Sequence, residues 1–135
     1  MELKPYYHEA KYYETDQMGI IHHSNYIRWM EEARIDFFSQ IGISYKKMEE
    51  MGIISPVLEV KCKYERMVRF GDVVAISIKV EKYTGVKLIL SYEMVNTSDN
   101  TVCTKAESSH CFLNRDNKLI SLKKEYPEIH KLLAK

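Results

Sequence analysis

The pattern of apolar positions announces one long helix. From Tyr26 the chain places Met30, Ala33, Phe37 and Ile41 at helical spacing, widened by Trp29 and Phe38, while Arg28, Glu31, Glu32, Asp36 and Gln40 take much of the opposite side. Residues three and four apart share a helix face, so this spacing predicts an amphipathic helix of about four turns. Ser24 is the expected N-cap and Gly42 the expected C-terminal cap. Ahead of it, the tyrosine-rich run Tyr6 to Glu14 alternates loosely, as in a first strand that ends near Thr15. Behind it, Ser44 to Met51 predicts a short second helix stopped by Gly52.

The period then changes from helical to alternating. Val57 to Tyr64 puts Leu58, Val60, Cys62 and Tyr64 on one side and Glu59, Lys61 and Lys63 on the other. Val73 to Val80, Leu88 to Val95 and Val102 to Leu113 follow, separated by turn residues at Phe70-Gly71-Asp72, Thr84-Gly85 and Asn96 to Asn100, with another turn at Asn114 to Lys118. Past Pro127, Glu128 to Leu133 predicts a short terminal helix. Strands joined by turns this short pair antiparallel. One long helix covers only one face of such a sheet, so the fold class is α+β, with the other face or an edge free to pair with a second subunit. A homodimer is the expectation.

Composition narrows the class. A chain of 135 residues with 45% hydrophobic and 29% charged residues is expected to form one globular domain over 1–135. A formal net charge of +1 provides no broad electrostatic footprint for nucleic acid. The N-terminal stretch Met1 to His8 has no apolar leader core, and no apolar run approaches a membrane span, so no membrane insertion is expected. Cys62, Cys103 and Cys111 form no C-x-x-C pair and leave an odd thiol, as for free thiols in a reducing cytoplasm.

Candidate chemistry collects where the first strand meets the helix. Within Tyr13 to Tyr26 lie Asp16, Gly19, His22, His23 and a helix start. Aspartates are ordinarily ionised at neutral pH and serve as nucleophile or general base. The first-turn N–H groups of a helix have no intrahelical partner and, backed by the helix dipole, receive a developing oxyanion. A glycine lets the chain turn so that both reach one carbonyl.

Asp16, Gly19, Asn25 and Tyr26, a D-x-x-G-x-x-x-x-x-N-Y pattern followed by Trp29-Met30-Glu31, resemble the hotdog-fold acyl-CoA thioesterases, in particular the 4-hydroxybenzoyl-CoA and Tol-Pal-associated group. Gly52 to Val57 and Tyr64 to Asp72 extend the likeness over nearly the whole chain. Met67 departs from it, since many relatives carry a proline in that segment. The resemblance implies a five- or six-stranded antiparallel sheet wrapped around the long helix, and dimers with two shared active sites, often paired into tetramers. It also implies acyl-CoA as substrate. In such enzymes the aspartate at the place of Asp16 attacks the thioester or activates water, and the backbone N–H at the place of His23 polarises the carbonyl. Gly19, Asn25 and Tyr26 are the matching substrate-side positions, and His22 beside them is a further candidate to contact substrate.

Blander roles compete with each of these. Asp16 alone is equally a turn residue, and Tyr26 is read first as pocket wall. His8, His22, His23 and Asp16 suggest a metal, but the H-E-x-x-H spacing that puts two ligands on one helix face is absent, and neither a metal nor a cofactor is expected. Glu59 is a second candidate acid, read as solvated. Lys61, Lys63, Arg66, Arg69, Lys82 and Lys87 are candidates for CoA phosphates among ordinary surface charges. No phosphate-loop, dinucleotide or G-x-S-x-G pattern occurs. The leading expectation is an acyl-CoA thioesterase. The alternatives are a hotdog hydratase or dehydratase using a histidine ring, and a non-catalytic acyl-CoA-binding module.

Overall fold

The alternating second half of the chain supplies four of five strands. In the computed structural model, which describes residues 3–134, the order is β1 (Tyr6–Glu9), a 3-10 turn (Tyr12–Glu14), α1 (Ser24–Gln40), α2 (Tyr45–Met51), β2 (Val57–Tyr64), β3 (Val73–Tyr83), β4 (Lys87–Asn96), β5 (Thr101–Cys111), α3 (Leu122–Glu125) and α4 (Pro127–Leu133). Met1 and Glu2, which begin the stretch read for a leader, and Lys135 lie outside the described residues. The five strands form one antiparallel sheet in the order β1-β3-β4-β5-β2, so the α+β expectation holds with five strands. No helix among the described residues is long and apolar enough to cross a membrane.

Register puts alternate residues on one buried face. Ile76 pairs with Met94, Val80 with Leu90 and Tyr92 with Ala106, and these side chains meet the α1 stripe of Tyr26, Trp29, Met30, Ala33, Phe37 and Phe38. Fully burying a side chain of this size stabilises by roughly 1.5–3 kcal/mol. The opposite face, with Lys79, Glu93 and Lys105, is polar.

One polar chain crosses this core. Arg34, on the buried face of α1, donates from Nη1 to Tyr92 OH at 3.2 Å; Tyr92 OH lies 2.6 Å from Ser108 Oγ, which lies 2.8 Å from His110 Nε2. A guanidinium can only donate, so the hydrogens run one way: Tyr92 to Ser108, Ser108 to His110 Nε2. The Nδ1–H of the neutral ring then serves the Pro56 carbonyl. Burial first, and then the Arg34 charge, push His110 down to about 4.

Three local expectations need correction. The first strand stops at Glu9 rather than near Thr15, because the chain breaks into the 3-10 turn to bury Glu14. Ser24 is the first helical residue, not the N-cap; His23 holds that position with helical dihedrals, and the cap acceptor is a ring nitrogen of His22. A helical turn, α3, also precedes the expected terminal helix. The second helix and its stop are as expected: Ser44 Oγ accepts the Lys47 N–H at 3.0 Å, and Gly52 caps it in the left-handed region at φ 77°.

Candidate active site

The stretch between β1 and α1 folds back on itself as a tight loop. Thr15 bridges Ile21, the Asp16 N–H donates to Ile20 O at 2.8 Å, and the Gly19 N–H donates to Asp16 O at 3.1 Å. Gly19 closes this turn at φ 76°, a region that side chains with a Cβ avoid. The Met18 N–H bonds Asp16 Oδ1 at 2.8 Å, which fixes the carboxylate and leaves Oδ2 without a partner among the described residues. A second segment flanks the loop: Ile21 N–H donates to Val68 O, and Ile20 bridges Arg69.

At the helix start the donors are nearly all used. The Ser24 N–H bonds His22 Nδ1 at 3.2 Å, the Asn25 N–H bonds His22 O at 3.0 Å, and the Tyr26 N–H bonds His23 O at 3.2 Å. The His22 N–H goes to Glu14 O at 2.8 Å. Among the described residues the His23 N–H alone in this run has no acceptor. It sits at the N-terminus of a 17-residue helix, where the dipole is positive.

Asp16 and His23 line one pocket of about 460 Å³ with Ile20, Tyr26, Tyr64 and Met67. Its walls are apolar and aromatic: Tyr26 and Tyr64 meet edge to face at 4.9 Å. Tyr64 OH donates to His23 O at 3.3 Å, and burial with the neighbouring Cys62 pushes this phenol up to about 12. Arg66 lies on the rim and shares an adjoining pocket of about 340 Å³ with Asp99 and Thr101. Such a space, largely apolar with charged side chains at one side, suits a small organic ligand.

The structure brings Asp16, His23 and Tyr26 to this pocket and places the other expected residues around it. Gly19 shapes the loop. The His22 ring caps Ser24 and stacks on His23 at 4.2 Å, outside the pocket lining. Asn25 is buried, and its Nδ2 donates to Glu14 O at 2.9 Å and His22 O at 3.3 Å, so it ties the loop rather than facing the pocket. Glu59 is exposed beside Lys61, 3.5 Å away. Among the described residues no group of three His, Cys, Asp or Glu side chains is arranged to hold a metal.

The pattern of the sequence missed Glu14. Its carboxylate is 5% exposed and accepts from the Lys11 N–H at 2.8 Å and the Trp29 indole at 2.8 Å, with His8 Nε2 at 3.0 Å. Burial pushes this carboxyl up, but the bonds from His8, Lys11 and Trp29 outweigh it and hold it below the ordinary range. The only available signal was an acid two residues before Asp16 at the end of a strand-like run.

Comparison with known proteins shows the family. A model of the thioesterase-like superfamily matches residues 11–131. The crystal structure of a DHNA-CoA thioesterase from Staphylococcus aureus superposes with a TM-score of 0.93 at 34% identity, covering 97% of this chain and 88% of that one. YneP of Bacillus subtilis is 34% identical over 123 residues, 90% of this chain and 88% of its own length. The acyl-CoA thioester hydrolase YbgC of Escherichia coli is 26% identical over 97 residues, covering 71% of this chain and 72% of its own.

Proposed function

The chain belongs to the thioesterase-like superfamily and has its hotdog fold, and from that premise we propose that it is an acyl-CoA thioesterase working through Asp16 and the His23 N–H. The observation that carries this reading is the pairing, around one pocket, of a carboxylate oxygen and a helix-start N–H that both lack a partner among the described residues. A thioester carbonyl between them would direct its oxygen at the His23 N–H and its carbon at Asp16. The amide, backed by the helix dipole, stabilises the oxyanion as it forms, an effect worth about 10²–10³ in rate per donor.

Two routes use the same groups. As nucleophile, Asp16 forms a bond to the carbonyl carbon, the C–S bond breaks, CoA leaves as thiolate, and water hydrolyses the resulting anhydride. As general base, Asp16 takes a proton from water while the hydroxide attacks, and the same C–S bond breaks. Both give a carboxylic acid and free CoA. The Arg66 side of the rim is the candidate contact for CoA phosphates.

A homodimer through β2 accompanies this reading. β2 is an edge of the sheet, so one row of its N–H and C=O groups is unpaired. Val60, Cys62 and Tyr64 pair with Ser108, Ala106 and Thr104, which places them on the α1 side, and Tyr64 remains 46% exposed there. A second copy paired edge to edge would cover this strip and wall the pocket beside Tyr64. A dimer of dimers would build on the same unit.

Thiol release from a panel of acyl-CoAs tests the activity. Release of free CoA with at least one acyl group supports it. Hydration of an enoyl-CoA without thiol release would instead establish the hydratase reading, and stoichiometric binding with neither signal the non-catalytic one.

A further inference from the structure

We propose that Glu14 is the positioning residue of this site, setting the separation of Asp16 from the His23 N–H; the inference rests on the thioesterase reading above. Glu14 lines no part of the pocket, so it acts through other groups. Its side chain gathers three elements. Oε1 is held by the Lys11 N–H of the 3-10 turn and by His8 of β1, and Oε2 by the indole of Trp29, one turn into α1. His8 adds a second restraint, because its ring lies against Trp29 at a centroid distance of 4.6 Å and its Nδ1 is 3.4 Å from Glu32.

The main chain of the same residue holds the other side of the loop. Glu14 O receives both the His22 N–H and the Asn25 side-chain amide. Asp16 follows Glu14 by two residues, and His23 follows His22 by one. The loop that carries the acid and ends at the oxyanion donor is therefore closed at Glu14, and its closure is fixed to α1 through Trp29 and Asn25. A buried carboxylate would be unfavourable here without these donors, and each donor would be left unpaired without the carboxylate. All three contacts need an acceptor at Glu14, and only an ionised carboxylate supplies two equivalent oxygens. Glutamine of the same length would turn an N–H toward either the indole or the Lys11 and His8 donors.

Misplacement of a reacting group by about 1 Å can cost up to about 10² in rate, whereas a pocket that keeps its walls keeps its affinity. Glu14→Gln is accordingly expected to lower kcat by about 10–100-fold with KM within about 2-fold. The test is thiol-release kinetics of wild type, Glu14→Gln, Asp16→Asn and the double variant, each shown folded by circular dichroism, with the acyl-CoA that wild type turns over best. In the Asp16→Asn background Glu14→Gln should change the residual rate by less than about 2-fold, because the pairing of carboxylate and donor that it sets is already lost.

Amide spectra provide a second readout that needs no turnover. The Asp16 and His23 N–H resonances should shift in Glu14→Gln while those of Ile89 and Ser91 on the far face of the sheet stay in place. If Glu14→Gln does not fold, Trp29→Phe, which deletes one of the three donors, should show the same fall in kcat at unchanged KM. Wild-type kcat in a folded Glu14→Gln, a full multiplicative loss in the Asp16→Asn background, or unmoved Asp16 and His23 amides would each overturn the positioning role. Absence of turnover by wild type would remove the thioesterase reading, and the amide resonances would then decide the role of Glu14 alone.

Discussion

Lowering the pH from 7.5 to 4 should destabilise the protein through His110. The ring is 2% exposed at the end of a donor chain that begins at Arg34, and its folded-state value of about 4 lies below the ordinary 6.5. Protonating it would require Ser108 and Tyr92 to reverse their hydrogens toward a guanidinium that cannot accept one. The unfolded chain therefore takes up this proton first. The stability that the neutral ring contributes is complete above the unfolded value and is lost as pH falls from about 6.5 toward 4. With about 1.36 kcal/mol per pKa unit, the loss reaches about 3 kcal/mol at pH 4. Urea melts of wild type and His110→Gln across this range isolate the effect, because the carboxylates contribute alike to both. The variant should be less stable at pH 7.5 by about 1–3 kcal/mol, having lost the Pro56 bond, yet its decline toward pH 4 should be shallower by about 3 kcal/mol. Parallel declines, or a His110 ring resonance in the folded protein that titrates near 6.5, would refute the reasoning.

Two further substitutions separate loop shape from overall stability. Gly19→Ala places a Cβ at φ 76° with nothing within 4 Å to meet it, so only backbone strain acts; a loss of about 1–2 kcal/mol in urea melts and a fall in kcat from the distorted Asp16 turn are expected. Ser44→Ala removes the cap of α2 and should cost about 1 kcal/mol in the same melts while thiol-release rates at 25 °C stay at wild-type level.

The parts of the fold written as repetition were legible in the sequence. Met30, Ala33 and Phe37 recur at helical period and are buried; Val60, Cys62 and Tyr64 alternate and share a sheet face; Gly42 and Gly52 both adopt positive φ just past their helices. The glycine, acid and helix start of the candidate site could be read for the same reason, as local chemistry within Asp16 to Tyr26. What escaped depends on distant contacts. Glu14 sits in a tyrosine run that reads as strand, and only its bonds to His8, Lys11 and Trp29 show that the chain turns there. Arg34 has no part in the apolar spacing read for α1, and its burial goes with its bond to Tyr92, 58 residues away. His22 rather than Ser24 supplies the cap, since its ring Nδ1 accepts the Ser24 N–H, a bond that residue-type preferences at caps do not report. Tyr64 was legible as part of β2, but its place beside His23 follows from the way the sheet closes over α1.

The most direct measurement of the proposed chemistry compares kcat for thiol release by wild type and Asp16→Asn on the same acyl-CoA. Asparagine keeps the shape of the side chain and its Oδ1 acceptor for the Met18 N–H while removing the charge. A loss of about 10²–10⁴ in kcat, with the circular dichroism and melting of the variant unchanged, is expected for a carboxylate that attacks the thioester or activates water. An Asp16→Asn variant that turns over within 3-fold (about 0.65 kcal/mol) of wild type would contradict it.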